Sequence, residues 1–292
     1  AILRPTSTLE VSAIVKFAYE NNISIVPQGG NTSLCGAATP DQSGNSIIVS
    51  LEKMNKVRQF NKKAQTITVE SGMILSQIHE LVEKEDLFFP LSLGAKGSCM
   101  IGGNLSTNAG GVNVLKYGNT RELCLGLEVV LPDGKIMNLL SELKKDNTGY
   151  DLKNIFIGAE GTLGIITEIQ LRLSPIPESI MSAVCHFSSL EDAVKTAQEV
   201  IQYGIQIARI EMLNKDQMEI SINYSKLEDV KALPTLFFEF HGSEVSNKES
   251  IKTVEELSKN NNGSSFKWAK SLEERNKLWK ARWDVYYSVK SL

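Results

Sequence analysis

Apolar residues recur at helical spacing near the start of the chain and then give way to short β-branched runs. In RPTSTLEVSAIVKFAYENN, Val11, Ile14, Val15 and Ala18 share one helical face, and Ser7 followed by Glu10 has capping-box spacing. ISIVP and SIIVSL are of strand length. QGGNTSLCGAATPDQSGN between them is too long and too polar for a simple turn. NKVRQF and QTITVES predict two more strands, and ILSQIHELVEKED sets Ile74, Ile78, Leu81 and Val82 at helical spacing. ELCLGLEVVLPDGKIMNLL reads as a hairpin turning at Pro132, Asp133 and Gly134, and GTLGIITEIQLRL alternates as a further strand.

The rhythm changes at SPIPES, residues 174–179, whose two prolines predict a domain boundary. Beyond it the pattern is strand SAVCHF, helix SLEDAVKTAQEVIQYG, strands IARIEML and TLFFEFHGS, helix NKESIKTVEELSKNN, strand FKWAK and helix SLEERNKLWKARWDVYYSV, a layered α+β arrangement. That last helix is read as continuous, with Leu278, Arg282 and Tyr286 on one face, and with neither a cap nor a closing strand after it.

Composition narrows the function. A chain of 292 residues, 42% hydrophobic and 22% charged, predicts a globular protein of two domains. A net charge of -3 with no long Lys/Arg block argues against a nucleic-acid or anionic-membrane partner. No apolar stretch approaches the roughly 20 residues of a membrane helix, and no signal-peptide pattern is present. A cytoplasmic location is expected, or the mitochondrial matrix in a eukaryote, since the opening at Ala1 is compatible with loss of a targeting segment. Cys35, Cys99, Cys124 and Cys185 form no CxxC pair, and His79, His186 and His241 share no ligand spacing, so no metal site is expected in these residues.

Three stretches share an unusual chemistry: residues 28–36, 93–111 and 158–164. PLSLGAKGSCMIGGNLSTNAGG combines Gly94, Gly97, Gly102, Gly103, Gly110 and Gly111 with Ser98, Asn104, Ser106, Thr107 and Asn108, and contains no acid. A pyrophosphate needs backbone N–H donors at close range with no Cβ in the way, which such stretches supply. GGNTSLCG has neither the GxGxxG spacing of a nicotinamide-binding unit nor the GK[ST] end of a P-loop, and no acid follows at the ribose position. A flavin nucleotide remains.

PQGGNTSL, the run from Pro90 to Gly111, KYGNTRE, LEVVLPDG, KKDNTGYDL and IGAEGTLGIIT resemble the signature segments of the FAD-binding domain of the vanillyl-alcohol oxidase/p-cresol methylhydroxylase superfamily, and within it the D-2-hydroxyglutarate dehydrogenases. IARIEMLN, NYSKL, PTLFFEFHGS, FKWAK and LEERNKLWKAR resemble the substrate domain of the FAD-dependent D-lactate dehydrogenases. The resemblance implies an α+β fold with a two-subdomain FAD-binding domain at 1–175, subdomains about 1–55 and 56–175. A substrate domain follows at 176–292, incomplete at its C-terminal end. It implies FAD held at the pyrophosphate by Gln28, Gly29, Gly30, Asn31, Thr32 and Leu34. Pro90, Leu93, Gly94, Gly97, Ser98, Gly102, Asn104, Thr107, Asn108 and Gly111 would flank pyrophosphate and isoalloxazine, with Gly161, Gly164 and Ile165 near the ring or adenine end. Ser33 and Ala37 stand where family members usually carry glycine, and the first glycine loop has no histidine, so the FAD is expected to be non-covalent.

Family enzymes move hydride from C2 of a D-2-hydroxy acid to flavin N5 while a base takes the hydroxyl proton. Arg282 in LWKAR matches the family's carboxylate-binding arginine, a role suited to its planar fork, whereas Trp279 and Trp283 are read as core residues, with lining of the pocket as the alternative. The family's base and the ligands of a divalent metal come from a His-x-Gly-Asp-Gly-Asn-x-His segment not found in these residues. The catalytic groups are therefore expected beyond Leu292, and His241 is read as a strand-end residue. The implied partners are a small 2-hydroxy acid (D-lactate or D-2-hydroxyglutarate) and an electron acceptor such as a quinone, a cytochrome or an electron-transfer flavoprotein, with a homodimer left open. The alternative function is a non-catalytic flavin-binding subunit or a decayed remnant of such an enzyme.

Overall fold

A computed structural model describes residues 1–227 and 230–292. The chain forms two compact units, Ala1–Gly111 with Tyr117–Ile176, and Val112–Lys116 with Pro177–Leu292. The passage from Ile176 to Pro177 lies inside SPIPES. No pattern in the sequence had marked Val112–Lys116 as part of the second unit.

The first unit opens with β1 (Ile2–Leu3), α1 (Thr8–Glu20), β2 (Ser24–Gln28) and β3 (Ser46–Ser50). The strands form a parallel sheet in the order β1-β3-β2. The Ser7 hydroxyl accepts the Glu10 N–H at the helix start, and the Glu10 carboxylate accepts the Thr6 N–H at 2.6 Å, so two of the donors at the helix entry find partners. Val11 and Val15 then pack on Val49, Leu51 and Met54, with Val130 and Ile165 completing this core.

The unit continues with β4 (Val57–Asn61), β5 (Thr66–Glu70), α2 (Leu75–Glu83), β6 (Leu87–Phe88), α3 (Ile101–Ser106), α4 (Val114–Tyr117, which crosses into the second unit), β7 (Cys124–Val130), β8 (Ile136–Asn138), α5 (Lys153–Phe156), β9 (Ile165–Arg172) and β10 (Ser174–Pro175). β4-β5-β9-β7-β8 make an antiparallel sheet, and β10 pairs with β6. Glu70, Glu168 and Glu128 stand side by side on β5, β9 and β7. Arg58 bridges Glu70 at 2.7 Å and Glu168 at 2.9 Å.

Within the glycine-rich stretch 93–111, for which no helix was expected, residues 101–106 form helix α3. Ile101 and Leu105, one turn apart, are buried in the main core of this unit. Gly102 makes this possible. A Cβ there would lie 2.6 Å from the Ser71 Cβ, and the Gly102 N–H donates to the Ser71 carbonyl at 2.8 Å.

The second unit contains β11 (Ser179–Phe187), α6 (Leu190–Gln202), β12 (Arg209–Leu213), α7 (Lys215–Ser225), β13 (Thr235–Gly242), α8 (Glu244–Asn260), β14 (Gly263–Ala269), α9 (Leu272–Trp283) and α10 (Val285–Lys290). Its antiparallel sheet runs β12-β13-β11-β14. Alternation along the strands divides the core. Met181, Ala183, Phe238 and Phe240 face α6 and α8, while Val184 and Phe237 face Met218 of α7 and Trp279 of α9. Helix α7 escaped the sequence reading because it buries only Met218 and Ser221, too thin a stripe to register as a period. The C-terminal helix, read as one, divides at Asp284, whose carboxylate accepts the Ser225 hydroxyl at 2.5 Å and ties the junction to α7.

Candidate functional site

Within the first unit the three glycine-rich stretches converge on one cleft of about 380 Å³. The chain leaving β2 brings Gln28, Gly29, Gly30, Asn31 and Thr32 to one wall. Leu93, Gly94, Gly102, Asn104 and Thr107 form a second wall, and Gly161 and Ile165 a third. Gly30 is required for the first two to meet: a Cβ there would lie 2.1 Å from the Ser98 carbonyl oxygen. Asn31 takes a left-handed backbone with φ 49°, a conformation asparagine tolerates better than most side chains. Gln28 donates its Nε2 to the Ala38 carbonyl at 2.8 Å and so closes the loop on itself.

The cleft is rich in unanswered polar groups. Among the described residues, no backbone N–H of residues 29–34 donates a hydrogen bond. Ser71 Oγ and Asn104 Oδ1, both buried, have no partner. Gly103 has nothing within 4 Å of the place a Cβ would take, so the helix presents bare backbone to the opening. The hydroxyls of Ser106 and Thr107 turn back onto the carbonyls of Gly102 and Gly103 at 2.8 and 3.0 Å.

Seven of the expected residues do not line this cleft: Leu34, Pro90, Gly97, Ser98, Asn108, Gly111 and Gly164. Leu34 is 90% exposed. Asn108 accepts the Arg121 N–H at 3.0 Å. Gly164 serves packing, since a Cβ would lie 2.6 Å from Val129 Cγ1, and Gly111, at φ 79°, lies against the Ser92 carbonyl. Conversely, Ser71, Met100 and Glu160 line the cleft and were not singled out from the sequence. Ser71 carried one faint signal, its place between the end of QTITVE and Gly72.

A wider cleft of about 700 Å³ lies beside KKDNTGYDL. Several of its charged groups are already engaged: Arg121 donates to the carbonyls of Asn154 and Ile157, and Lys153 pairs with Asp151 at 2.8 Å. The glycine cleft, with donors to spare, is the stronger ligand site.

The second unit assembles a polar cluster on the α9 side of its sheet. Arg282 donates from Nε and Nη2 to the same Glu211 oxygen at 2.8 and 2.7 Å. Arg209 pairs with Glu239 at 3.0 Å and donates to Asn113 Oδ1 at 2.5 Å. His241 donates its Nε2–H to Glu239 at 2.8 Å, and Lys116 donates to the His241 carbonyl. Burial pushes the Glu239 carboxyl up, but the His241 hydrogen bond and the Arg209 charge outweigh it and hold it below the usual range. His241 sits one residue inside the end of β13 and is buried; Trp279 is in the core, and Trp283 is exposed.

The two units match families of flavoprotein domains. The family described as "FAD binding domain" matches residues 1–140, and the family described as "FAD linked oxidases, C-terminal domain" matches residues 176–291. The chain belongs to the FAD-linked oxidases, carrying these two domains in tandem. It is 39% identical over 294 residues to a probable mitochondrial D-lactate dehydrogenase of Danio rerio, covering 100% of this chain and 58% of that protein. It is 37% identical over 287 residues to the mitochondrial D-lactate dehydrogenase [cytochrome] of Arabidopsis thaliana, covering 98% and 50%. With the mitochondrial D-2-hydroxyglutarate dehydrogenase of Danio rerio it shares 46% over 197 residues, covering 68% and 37%. The chain thus spans little more than half the length of these relatives, or less. Among solved structures, p-cresol methylhydroxylase with substrate bound superposes with a TM-score of 0.78 at 17% identity, covering 98% of this chain and 63% of that one. An alkyldihydroxyacetonephosphate synthase also gives 0.78, at 22% identity, covering 96% and 56%. These likenesses establish the fold, an α+β architecture of the p-cresol methylhydroxylase type.

Proposed function

We propose that this chain holds FAD in the glycine cleft and belongs to an enzyme that oxidises a D-2-hydroxy acid to the 2-oxo acid. The observation that carries the reading is the cleft itself. Free N–H groups at residues 29–34, the unpartnered Ser71 hydroxyl and the bare backbone at Gly103 suit an anionic, oxygen-rich centre, and the unpartnered acceptor Asn104 Oδ1 suits an N–H of a flat ring. Gln28, Gly29, Gly30, Asn31 and Thr32 would hold the pyrophosphate, with Gly102, Asn104 and Thr107 along the other wall and Gly161 and Ile165 at one end. Leu34, Pro90, Gly97, Ser98, Asn108, Gly111 and Gly164 act in this reading through the backbone they shape. Bound FAD supplies a hydride acceptor.

Residues 1–175 are assigned the FAD-binding role, with subdomains about 1–55 and 56–175, and 176–292 the substrate role. Arg282 holds the substrate carboxylate, and Glu211, bonded to Nε and Nη2, fixes the direction in which its remaining Nη1 points. The relatives' names support the two acids considered, D-lactate and D-2-hydroxyglutarate, and a mitochondrial setting. Among the described residues no helix is long and apolar enough to cross a membrane. The electron acceptor is proposed as a quinone, a cytochrome or an electron-transfer flavoprotein. A non-catalytic subunit is the weaker reading, because the named relatives are dehydrogenases.

The test is anaerobic mixing of FAD-loaded protein with the D- and L-forms of lactate and 2-hydroxyglutarate while the flavin absorbance is followed. A saturable change in the flavin spectrum by a D-acid over its L-form, reporting binding, is expected. A spectrum unmoved by all four acids overturns the reading.

A further inference from the structure

We infer that Arg275 and the indole N–H of Trp279 form a second carboxylate site on α9, so that the second unit selects a short dicarboxylic D-2-hydroxy acid over D-lactate. The inference rests on the hydroxy-acid reading above and names the class of acid. Helix α9 sets Arg275, Trp279 and Arg282 at i, i+4 and i+7, on one face and spread over about 10 Å of helix axis. Most of the charge on this side of the sheet is matched. Arg282 is bound to Glu211, and Arg209 to Glu239 and Asn113.

Arg275 is different. Among the described residues its guanidinium makes no hydrogen bond or ion pair, and its Nε is buried without an acceptor. Trp279, one turn on, is 2% exposed, and its Nε1 also lacks an acceptor. Arg209 lies over the Trp279 ring at 5.6 Å, and the Arg275 charge reaches Glu239, so both orphan donors belong to the electropositive side of the same cluster.

Buried donors are nearly always paired in folded proteins, and a guanidinium beside an indole N–H is a donor set for a carboxylate. The single carboxylate of D-lactate, taken by Arg282, leaves Arg275 and Trp279 unanswered. A second carboxylate at the far end of the acid answers them. A site that leaves its polar groups unpaired discriminates against the smaller ligand.

The experiment is isothermal titration of the FAD-loaded 292-residue chain with D-2-hydroxyglutarate and with D-lactate at fixed ionic strength. The diacid is expected to bind at least about tenfold more tightly. Arg275→Met should remove that preference while leaving FAD binding, D-lactate affinity and melting temperature in place, and Arg275→Lys should retain part of it. Equal affinity of the parent protein for the two acids, or a preference that survives Arg275→Met, overturns the inference and leaves the hydroxy-acid reading standing. Loss of binding for both acids in the parent overturns the two together. Since the parent comparison needs no variant, a failure of Arg275→Met to fold does not shield the idea.

Discussion

Gly103→Val separates a ligand cleft from a merely structural turn. An added Cβ at Gly103 meets nothing within 4 Å, so the side chain enters the cleft without straining the fold, and valine is no worse than glycine in a helix interior. Pushing a pyrophosphate off this wall removes two or so charge-assisted hydrogen bonds of about 1.5–3 kcal/mol each. The sum, about 3–6 kcal/mol, raises the Kd for FAD by about 10² to 10⁴. Titration of apoprotein into FAD, read by quenching of the flavin fluorescence, measures the Kd; a melting curve without FAD checks the fold and should match the parent. Gly102→Val is the contrast. Its Cβ would lie 2.6 Å from Ser71 Cβ and 2.9 Å from the Ser71 carbonyl oxygen, so overpacking of about 1–3 kcal/mol should lower the melting temperature even without FAD. If Gly103→Val binds FAD as tightly as the parent, the cleft is not the flavin site.

Four further outcomes are expected. Acid precipitation should release all FAD to the supernatant; flavin that stays with the denatured chain would refute non-covalent binding. Glu239→Gln should cost about 3–5 kcal/mol near neutral pH, because it strips Arg209 and His241 of a buried partner. The Glu239 carboxyl is held below its ordinary 4.5, so its contribution is present above that value and lost as pH falls through the lowered one. Tryptophan emission reports it, since Trp268, Trp279 and Trp283 all lie in the second unit, and a cost unchanged in acid contradicts the assignment. Glu168 is the opposite case: burial raises it, with Glu128 and Glu70 adding to the rise and Arg58 opposing. Its contribution is full below 4.5 and lost as pH rises through the raised value, so Glu168→Gln should melt progressively higher than the parent from pH 4 to pH 7, and a flat difference argues against it. Of the four thiols only exposed Cys35 should react quickly with a disulfide reagent, burial having pushed Cys124 to about 12 and Cys185 to about 11; two or more fast thiols in the native protein would contradict this.

Local chemistry was legible from the residues alone. The Ser7–Glu10 start of α1, the Pro132–Gly134 hairpin turn and the alternating run that forms β9 each depend on neighbours a few positions away, so their pattern survives in one dimension. The glycine stretches announced a demand for bare backbone in the same way. Tertiary structure decided which of those glycines face the cleft and which face the protein. Gly103 opens on the cleft, whereas Gly102 and Gly164 make room for Ser71 and Val129, and nothing in the sequence distinguishes them, because the atoms they meet lie far along the chain. Ser71 enters the site for the same reason. Glu211 engages Arg282 across 71 positions, and Val112–Lys116 leaves the first unit to place Asn113 and Lys116 on the second. Short-range periodicity records how a segment pairs with its own neighbours; the partner of a long side chain, and the side on which a missing Cβ matters, exist only once distant segments have packed.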